Sequence, residues 1–360
     1  MRLPLKIAIV TDTHYGARGD SVHFSNFFER FYSNVFFPYL DENNINTVIH
    51  LGDVFDRRKY INFASLKACR DYFFEQLKKR NTDTHMIAGN HDTFYKNTNE
   101  VNALDLLLGE YDNIKVYDTP QDVTFDGTDI LMMPWICSGN YQDCMRAIEN
   151  TKAQILFGHL EISGFEMYRG SINDGGMDSI TFSKFDLVCS GHFHHRSSRN
   201  NINYLGTPYE ITWSDFNDQK GFHIFDTDTR ELKFIPNPLT MFRKVFYDDL
   251  NKNAAEVIVD DFSIYSNCYV KVIVKNKTNP MWFDMFIEKL EKANILDIQV
   301  VEDHLNLDLE DDDDIINEAE DTLSILNKYV DQFDAEVDKV KLENLLRTLY
   351  NEAVSIEYTI

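Results

Sequence analysis

The chain is expected to be an α/β protein with two layers of sheet flanked by helices, followed by a small α+β unit and a helical tail. Three observations predict this. Short apolar runs ending in polar residues alternate with longer amphipathic stretches through the first half. After about Gly191 the strand-like runs crowd together between turns rich in Gly, Pro and Asp, which suggests that a sheet finishes there. Pro236 and Pro238 then punctuate the chain, and a domain boundary is placed near residue 240.

The strand candidates in the first half are Lys6 to Thr11, Thr47 to Leu51, Thr84 to Ala88, Asp129 to Met133, Gln154 to Phe157 and Phe185 to Cys189. Helix candidates at Ser21 to Leu40, Asn62 to Lys79 and Tyr141 to Asn150 lie between them, each long enough to cover a sheet face. Asn201 to Leu205, Gly221 to Asp226 and Glu231 to Ile235 are the closing strands. The smaller unit has strand candidates near Lys244 to Tyr247 and Tyr269 to Lys275, with a helix after Pro280. The run from Asp308 to Asp314 repels itself and reads as a solvated spacer. Beyond it, Leu323, Leu326, Val330 and Phe333, then Val340, Leu345 and Leu349, recur at helical spacing. Such helices either close onto their own domain or dock a partner. No repeat of 20 to 50 residues supports a solenoid.

Composition limits the function. With 43% hydrophobic residues, 360 residues can bury a sizeable core. The formal charge of -24 repels polyphosphate at long range, which argues against a stand-alone high-affinity DNA binder. The apolar stretch from Leu5 to Val10 is too short for a signal peptide or a membrane span, so a cytosolic protein without membrane attachment is expected. Cys69, Cys137, Cys144, Cys189 and Cys268 are odd in number and contain no CxxC pair, and they read as reduced thiols.

Five short motifs stand where strand candidates end, the place where ligand-binding residues gather in α/β folds. They are Asp12 with His14; Gly52, Asp53 and Asp56; Gly89, Asn90, His91 and Asp92; Gly158 with His159; and Gly191, His192 and His194. In extended backbone, residues two apart point the same way, so Asp12 and His14 can face one ion, as can His192 and His194. The donors are oxygen and imidazole without thiolate, which suits manganese, iron or zinc in a reactive rather than a structural site. Seven or eight donors are too many for one ion and suit two, with Asp53 as the natural bridging carboxylate. Two such ions are the general template for phosphodiester hydrolysis. His23, His50, His85, His195, His223 and His304 read as ordinary histidines outside this set.

In this order the motifs resemble the signature of the calcineurin-like metallophosphoesterases. The Asn90, His91, Asp92 sequence, the closing Gly191, His192, His194 motif and the stretch Tyr204 to Trp213 with Lys220 to Phe222 are similar to the SbcD nuclease branch, including the small subunits of phage recombination endonucleases. The resemblance runs through residues 5 to 240 and, beyond them, extends only to layout. It implies an α/β/β/α metallophosphoesterase sandwich, with one ion on Asp12, His14, Asp53 and His194 and the other on Asp53, Asn90, His159 and His192. Manganese is the expected metal. His91 would contact the scissile phosphate or protonate the leaving oxygen, a role suited to an imidazole. Asp92 would orient His91. Asp56, where some relatives carry histidine, is given no catalytic role.

The resemblance further implies a nuclease subunit acting as an exonuclease on duplex ends and an endonuclease on single strands. Its expected partner is an SbcC-like coiled-coil ATPase. The chain lacks the GxxxxGK[ST] phosphate loop, so ATP dependence would come from another polypeptide. The implied layout is a nuclease domain over residues 1–240, a capping and DNA-binding domain over 241–305, the acidic linker over 306–320 and ATPase-docking helices over 321–360. A homodimer is expected through the helices that follow the first two motifs. Arg57, Arg58, Lys59, Lys96, Arg169, Arg196 and Arg199 are candidates for phosphate contacts that position DNA without reading its sequence. Two rival readings are a phosphatase using the same ions and a catalytically silent scaffold. The tail and the Asn90, His91, Asp92 sequence speak against the first, and the filled ligand positions against the second.

Overall fold

The computed structural model describes residues 5–253, 256–257 and 261–302. The expected acidic linker, the docking helices and His304 lie outside these residues. One compact unit takes in Met1–Ile211 and Asp215–Glu302.

Strands β1 (Lys6–Val10), β2 (Thr47–His50), β3 (Asp83–Ile87) and β4 (Ile114–Tyr117) run parallel, Ile7 pairing with Thr47 and Thr47 with Asp83. A second sheet is built from β5 (Gln121–Phe125), β6 (Thr128–Met133) and β7 (Ile155–His159). After the small hairpin of β8 (Glu166–Tyr168) and β9 (Ser171–Ile172), it continues with β10 (Leu187–Gly191), β11 (Ser197–Arg199) and β12 (Ile202–Tyr204). Its order is β11-β12-β10-β7-β6-β5, with parallel pairing in the middle and antiparallel strands at both edges. The chain then returns to the first sheet through β13 (Gly221–Asp226) and β14 (Leu232–Pro236), completing the order β14-β13-β1-β2-β3-β4. The closing strands expected as one finished sheet are therefore shared between two.

Alternation along the strands makes the layers. Ile7, Ile9, Ile49, Leu51 and Ile87 of the first sheet pack against Ile130, Met132, Ile155, Phe157 and Cys189 of the second. On the far side of the second sheet, Leu131, Leu156 and Val188 meet Cys144 and Ile148 from the helix Tyr141–Asn150. The far side of the first sheet is covered by two long helical segments, each running through a π turn: Val22–Phe31 into Phe37–Glu42, and Phe63–Cys69 into Glu75–Lys79. Their contribution is aromatic, with Phe27, Phe28, Phe31, Phe36, Phe73 and Phe74 all buried. Phe28 stacks on Tyr209 with centroids 3.9 Å apart, and such pairs contribute about 0.5–1.5 kcal/mol beyond area burial.

From Phe242 a separate, wholly parallel sheet begins, with β15 (Phe242–Asp248), β16 (Tyr269–Asn276) and β17 (Asp297–Glu302). The helix Pro280–Glu291 covers it, burying Phe283, Phe286 and Leu290. Asn279 caps that helix by accepting from the Met281 and Trp282 amides. Phe24 sits against Phe242 and Tyr269, and the buried Glu210 carboxylate accepts the amides of Met241 (2.5 Å) and Phe242 (3.0 Å). Burial holds the Glu210 carboxyl up at about 7.

Candidate metal centre

All five motifs stand at the carboxyl ends of the parallel strands β1, β2, β3, β7 and β10. The first two loops are zipped together: the Asp12 amide donates to Gly52 O (3.0 Å) and the His14 amide to Asp53 O (3.1 Å). Tyr209 Oη donates to Thr13 O at 2.8 Å, tying the first loop to the aromatic layer. Asp12, His14, Asp53 and His192 all have positive φ (52°, 44°, 53° and 90°). Non-glycine residues hold such backbone only where their surroundings impose it, and functional sites are where this gathers. Asp12 and His14 do share one donor set, as expected, but by way of left-handed turns instead of extended backbone. The loops can approach because two positions lack side chains. A Cβ on Gly89 would lie 2.2 Å from Asp53 N, and one on Gly191 2.1 Å from Thr11 Oγ1.

Two donor sets converge. One is Asp12, His14 and His194; the other is Asp53, His159 and His192. His192 and His194, expected from spacing alone to be able to share an ion, are divided between them, because His192 is in left-handed backbone and the alternation of a strand does not apply. Asn90 Oδ1 joins the second set, 2.9 Å from both His159 Nε2 and His192 Nδ1. Asp53 Oδ2 lies 3.3 Å from His159 Nε2 and 3.9 Å from His14 Nε2, so it reaches both sets.

The protonation pattern tests whether cations fit. His159 Nδ1 is 2.7 Å from Leu51 O, which can only accept, so Nδ1 carries a proton. In a neutral ring Nε2 would aim a lone pair at two oxygens that are themselves acceptors, Asn90 Oδ1 and Asp53 Oδ2. Three converging lone pairs need a positive charge between them. Protonation reflects the same demand. Burial would lower the His159 pKa, but Asp53 and Asp12 raise it to about 9. Burial alone would raise Asp53, yet His159 holds its carboxyl well below the ordinary range. Burial pushes Asp12 up to about 7 against the pull of His159. Burial and neighbouring cations take His192 and His194 down to about 3, so both are neutral, as imidazole ligands must be. In the first set, His14 Nε2 and His194 Nε2 lie 3.1 Å apart, and neither Nδ1 has a hydrogen-bond partner among the described residues. The donors fit two divalent ions of borderline character.

His91 stands beside both sets. Its amide donates to Asp53 Oδ1 (2.7 Å), and its Nδ1 donates to Asp56 O (2.6 Å), leaving Nε2 for other use. The expectation that Asp92 orients this imidazole is corrected. The Asp92 carboxylate instead accepts the amides of Gly89, Val54 and Phe55, locking the third loop to the second, and the Asp56 carbonyl fixes the ring. A backbone acceptor cannot be read from side-chain spacing. Sequence reasoning also missed Lys220. Its buried ammonium pairs with Asp215 (2.6 Å) and Asp218 (2.7 Å) and donates to His194 O (2.9 Å). The only signal for it was its place in the stretch after the last motif.

Among the basic candidates, Lys59, Lys96, Arg169, Arg196 and Arg199 are exposed and Arg58 is half-buried. Arg57 is paired with Asp20 at 2.9 Å, and the Arg196 guanidinium lies over Phe234. His50, His85 and His195 have ordinary partners in Thr13, Tyr117 and Asp218. The five cysteines are free and buried. No helix among the described residues is long and apolar enough to cross a membrane.

The family model for calcineurin-like phosphoesterases matches residues 5–196. Exonuclease subunit 1 of Enterobacteria phage T4 is 34% identical over 321 residues, covering 88% of this chain and 90% of that protein. The SbcD subunit of the SbcCD nuclease of Staphylococcus epidermidis is 32% identical over 149 residues, covering 39% of this chain and 36% of that protein. Among solved structures, an archaeal phosphodiesterase aligns with a TM-score of 0.32 at 17% identity, covering 65% of this chain and 100% of that one. With its ligand loops arranged as described, the chain belongs to the calcineurin-like phosphoesterase family.

Proposed function

We propose that this chain is the nuclease subunit of an SbcCD-like recombination and repair complex, hydrolysing DNA phosphodiesters with two manganese ions. The observation that carries the two-ion reading is the placement of Asp53 Oδ2 between His14 and His159. Asp12, His14, Asp53 and His194 would hold one ion, and Asp53, Asn90, His159 and His192 the other. When bound, such ions supply Lewis acidity toward the phosphate and make water a nucleophile at neutral pH. The chain's own part is to place and protonate. His91, with Nδ1 committed to Asp56 O, offers Nε2 to a phosphate oxygen or to the leaving oxygen. Asp92 keeps the His91 loop against the Asp53 loop. The exposed basic residues near these loops would hold the DNA backbone.

The similarity to a phage exonuclease subunit over most of both chains supports the substrate class. We read the strands and helix from Phe242 onward as the capping domain, residues 321–360 as the dock for an SbcC-like ATPase, and the working site as cytoplasmic. Val22 and Phe63, at 68% and 85% exposed, begin the helices after the first and second motifs and support a homodimer through those helices.

The test is cleavage of circular single-stranded DNA and of linear duplex by the purified chain with manganese, beside His91→Asn. Both substrates are expected to be cut by the parent. The variant should lose about 10²–10⁴-fold in rate with both ions still bound. Hydrolysis of a small monoester with DNA left intact would point to a phosphatase, and normal turnover by the variant would remove His91 from the mechanism. Deleting residues 315–360 should spare cutting of single strands and abolish capture of the ATPase; a truncated chain that still captures it would refute the dock.

A further inference from the structure

Beside the second donor set lies a cavity of about 280 Å³ that none of the metal motifs uses. Trp135, Ile136, Ser138, Tyr141, Glu161 and Met177 line it. The Trp135 ring sits 5.0 Å from that of His192 and 6.0 Å from that of His159, so one wall of the cavity also touches the ligand imidazoles. Trp135 is held by its backbone: its amide donates to Ala88 O (2.8 Å), and its carbonyl accepts from the side chains of Asn99 and Asn140 (2.9 Å each). The opposite wall is pinned as well, the Met177 amide donating to Glu161 O at 2.8 Å. Tyr141 opens the helix Tyr141–Asn150 and is 49% exposed, a ring at the mouth of the cavity.

The chemistry of this lining selects its occupant. Among the described residues no lysine or arginine lines the cavity, and Glu161 does, so its charge disfavours a phosphate. Two aromatic rings and two apolar side chains favour a flat, neutral ring, and a carboxylate favours one that carries N–H donors. A nucleobase has both properties, and aromatic faces bind bases with little regard to sequence. In a nucleotide the base hangs one sugar away from its phosphate, and here a single side chain, Trp135, stands between the cavity and the ligand imidazoles.

We propose that the Trp135 and Tyr141 cavity is a nucleobase subsite, which takes the unpaired base next to the scissile phosphate and thereby favours single-stranded or frayed DNA. This rests on the nuclease reading above. The experiment uses the full chain with manganese and single-stranded oligonucleotides in which one abasic tetrahydrofuran residue is moved stepwise past the cut site. At one position beside the scissile phosphate the wild type should lose about ten- to hundredfold in kcat/KM, the range expected for one stacked base. Tyr141→Ala and Trp135→Leu should shrink that penalty to about twofold or less while both ions remain bound, and Trp135→Phe should keep most of it. A wild type indifferent to the abasic residue everywhere, or variants that keep the full penalty, would overturn the subsite and leave the nuclease standing. Failure to cut any oligonucleotide would overturn the nuclease reading and the subsite with it.

Discussion

The two donor sets are built differently. In the Asp53, Asn90, His159 and His192 set, the rings are aimed by fixed acceptors: Leu51 O holds His159, and Asn90 Oδ1 touches both imidazoles. In the Asp12, His14 and His194 set, the two imidazoles face each other at 3.1 Å and neither Nδ1 has a hydrogen-bond partner among the described residues. His194 is steadied through its carbonyl, by Lys220. The lesson concerns support more than ligands. Loss of a group that orients a ligand typically costs about 10–100-fold in metal affinity, so the Asp12, His14 and His194 set is expected to release its ion first.

The largest effect should come from what the sets share. Asp53→Ala removes the oxygen between His14 and His159, and both ions should be lost together. Cleavage should fall by more than about 10³-fold, since ion chemistry is worth several kcal/mol and each 1.4 kcal/mol is tenfold. Metal analysis of the purified variant checks this; full occupancy of either set would show that Asp53 does not join them.

A smaller and one-sided effect is expected at Lys220. Lys220→Met takes the ammonium away from the buried Asp215 and Asp218, with His195 still beside Asp218, and should destabilise the fold by about 3 kcal/mol. In the folded protein, chelator titration should show the affinity of the Asp12, His14 and His194 set weakened about 10–100-fold. The other set should be unchanged. Equal weakening of both would make Lys220 a general structural residue and erase the contrast.

The smallest effect concerns pH. Despite its burial, the Asp218 carboxyl is held below its ordinary range by His195 and Lys220. A depressed carboxylate stabilises the fold above its unfolded pKa of about 3.9, and that stability is lost as pH falls through the folded value. Acid unfolding of Asp218→Asn should therefore be shallower below about pH 4 than that of the wild type. Parallel acid limbs would show that Asp218 adds nothing to this region's stability.

Much of this was legible in the chain. The helix Tyr141–Asn150 and the strand Gly221–Asp226 begin and end where the pattern places them, because the helix turns one apolar face to a sheet and the strand is a short buried run bounded by turns. Less legible were β4, β5 and the β8–β9 hairpin, whose residues are largely half-buried or exposed and so lack a run of apolar positions. The helix Ala103–Leu108 is too short for periodicity to declare itself.

The sequence by itself determined the ligand types and their order, since a carboxylate, an amide or an imidazole after a strand carries its chemistry wherever it lies. Tertiary structure alone decided which donors stand together. Left-handed backbone at Asp12, His14, Asp53 and His192 cancels the two-residue alternation on which spacing arguments rest. It also decided that Asp92 ties loops while a backbone carbonyl aims His91, and that Lys220 steadies His194 across 26 residues of chain. The physical reason is the same in each case. Side-chain identity is local, whereas hydrogen-bond partners and the room between loops are set by how two sheets bring distant segments together.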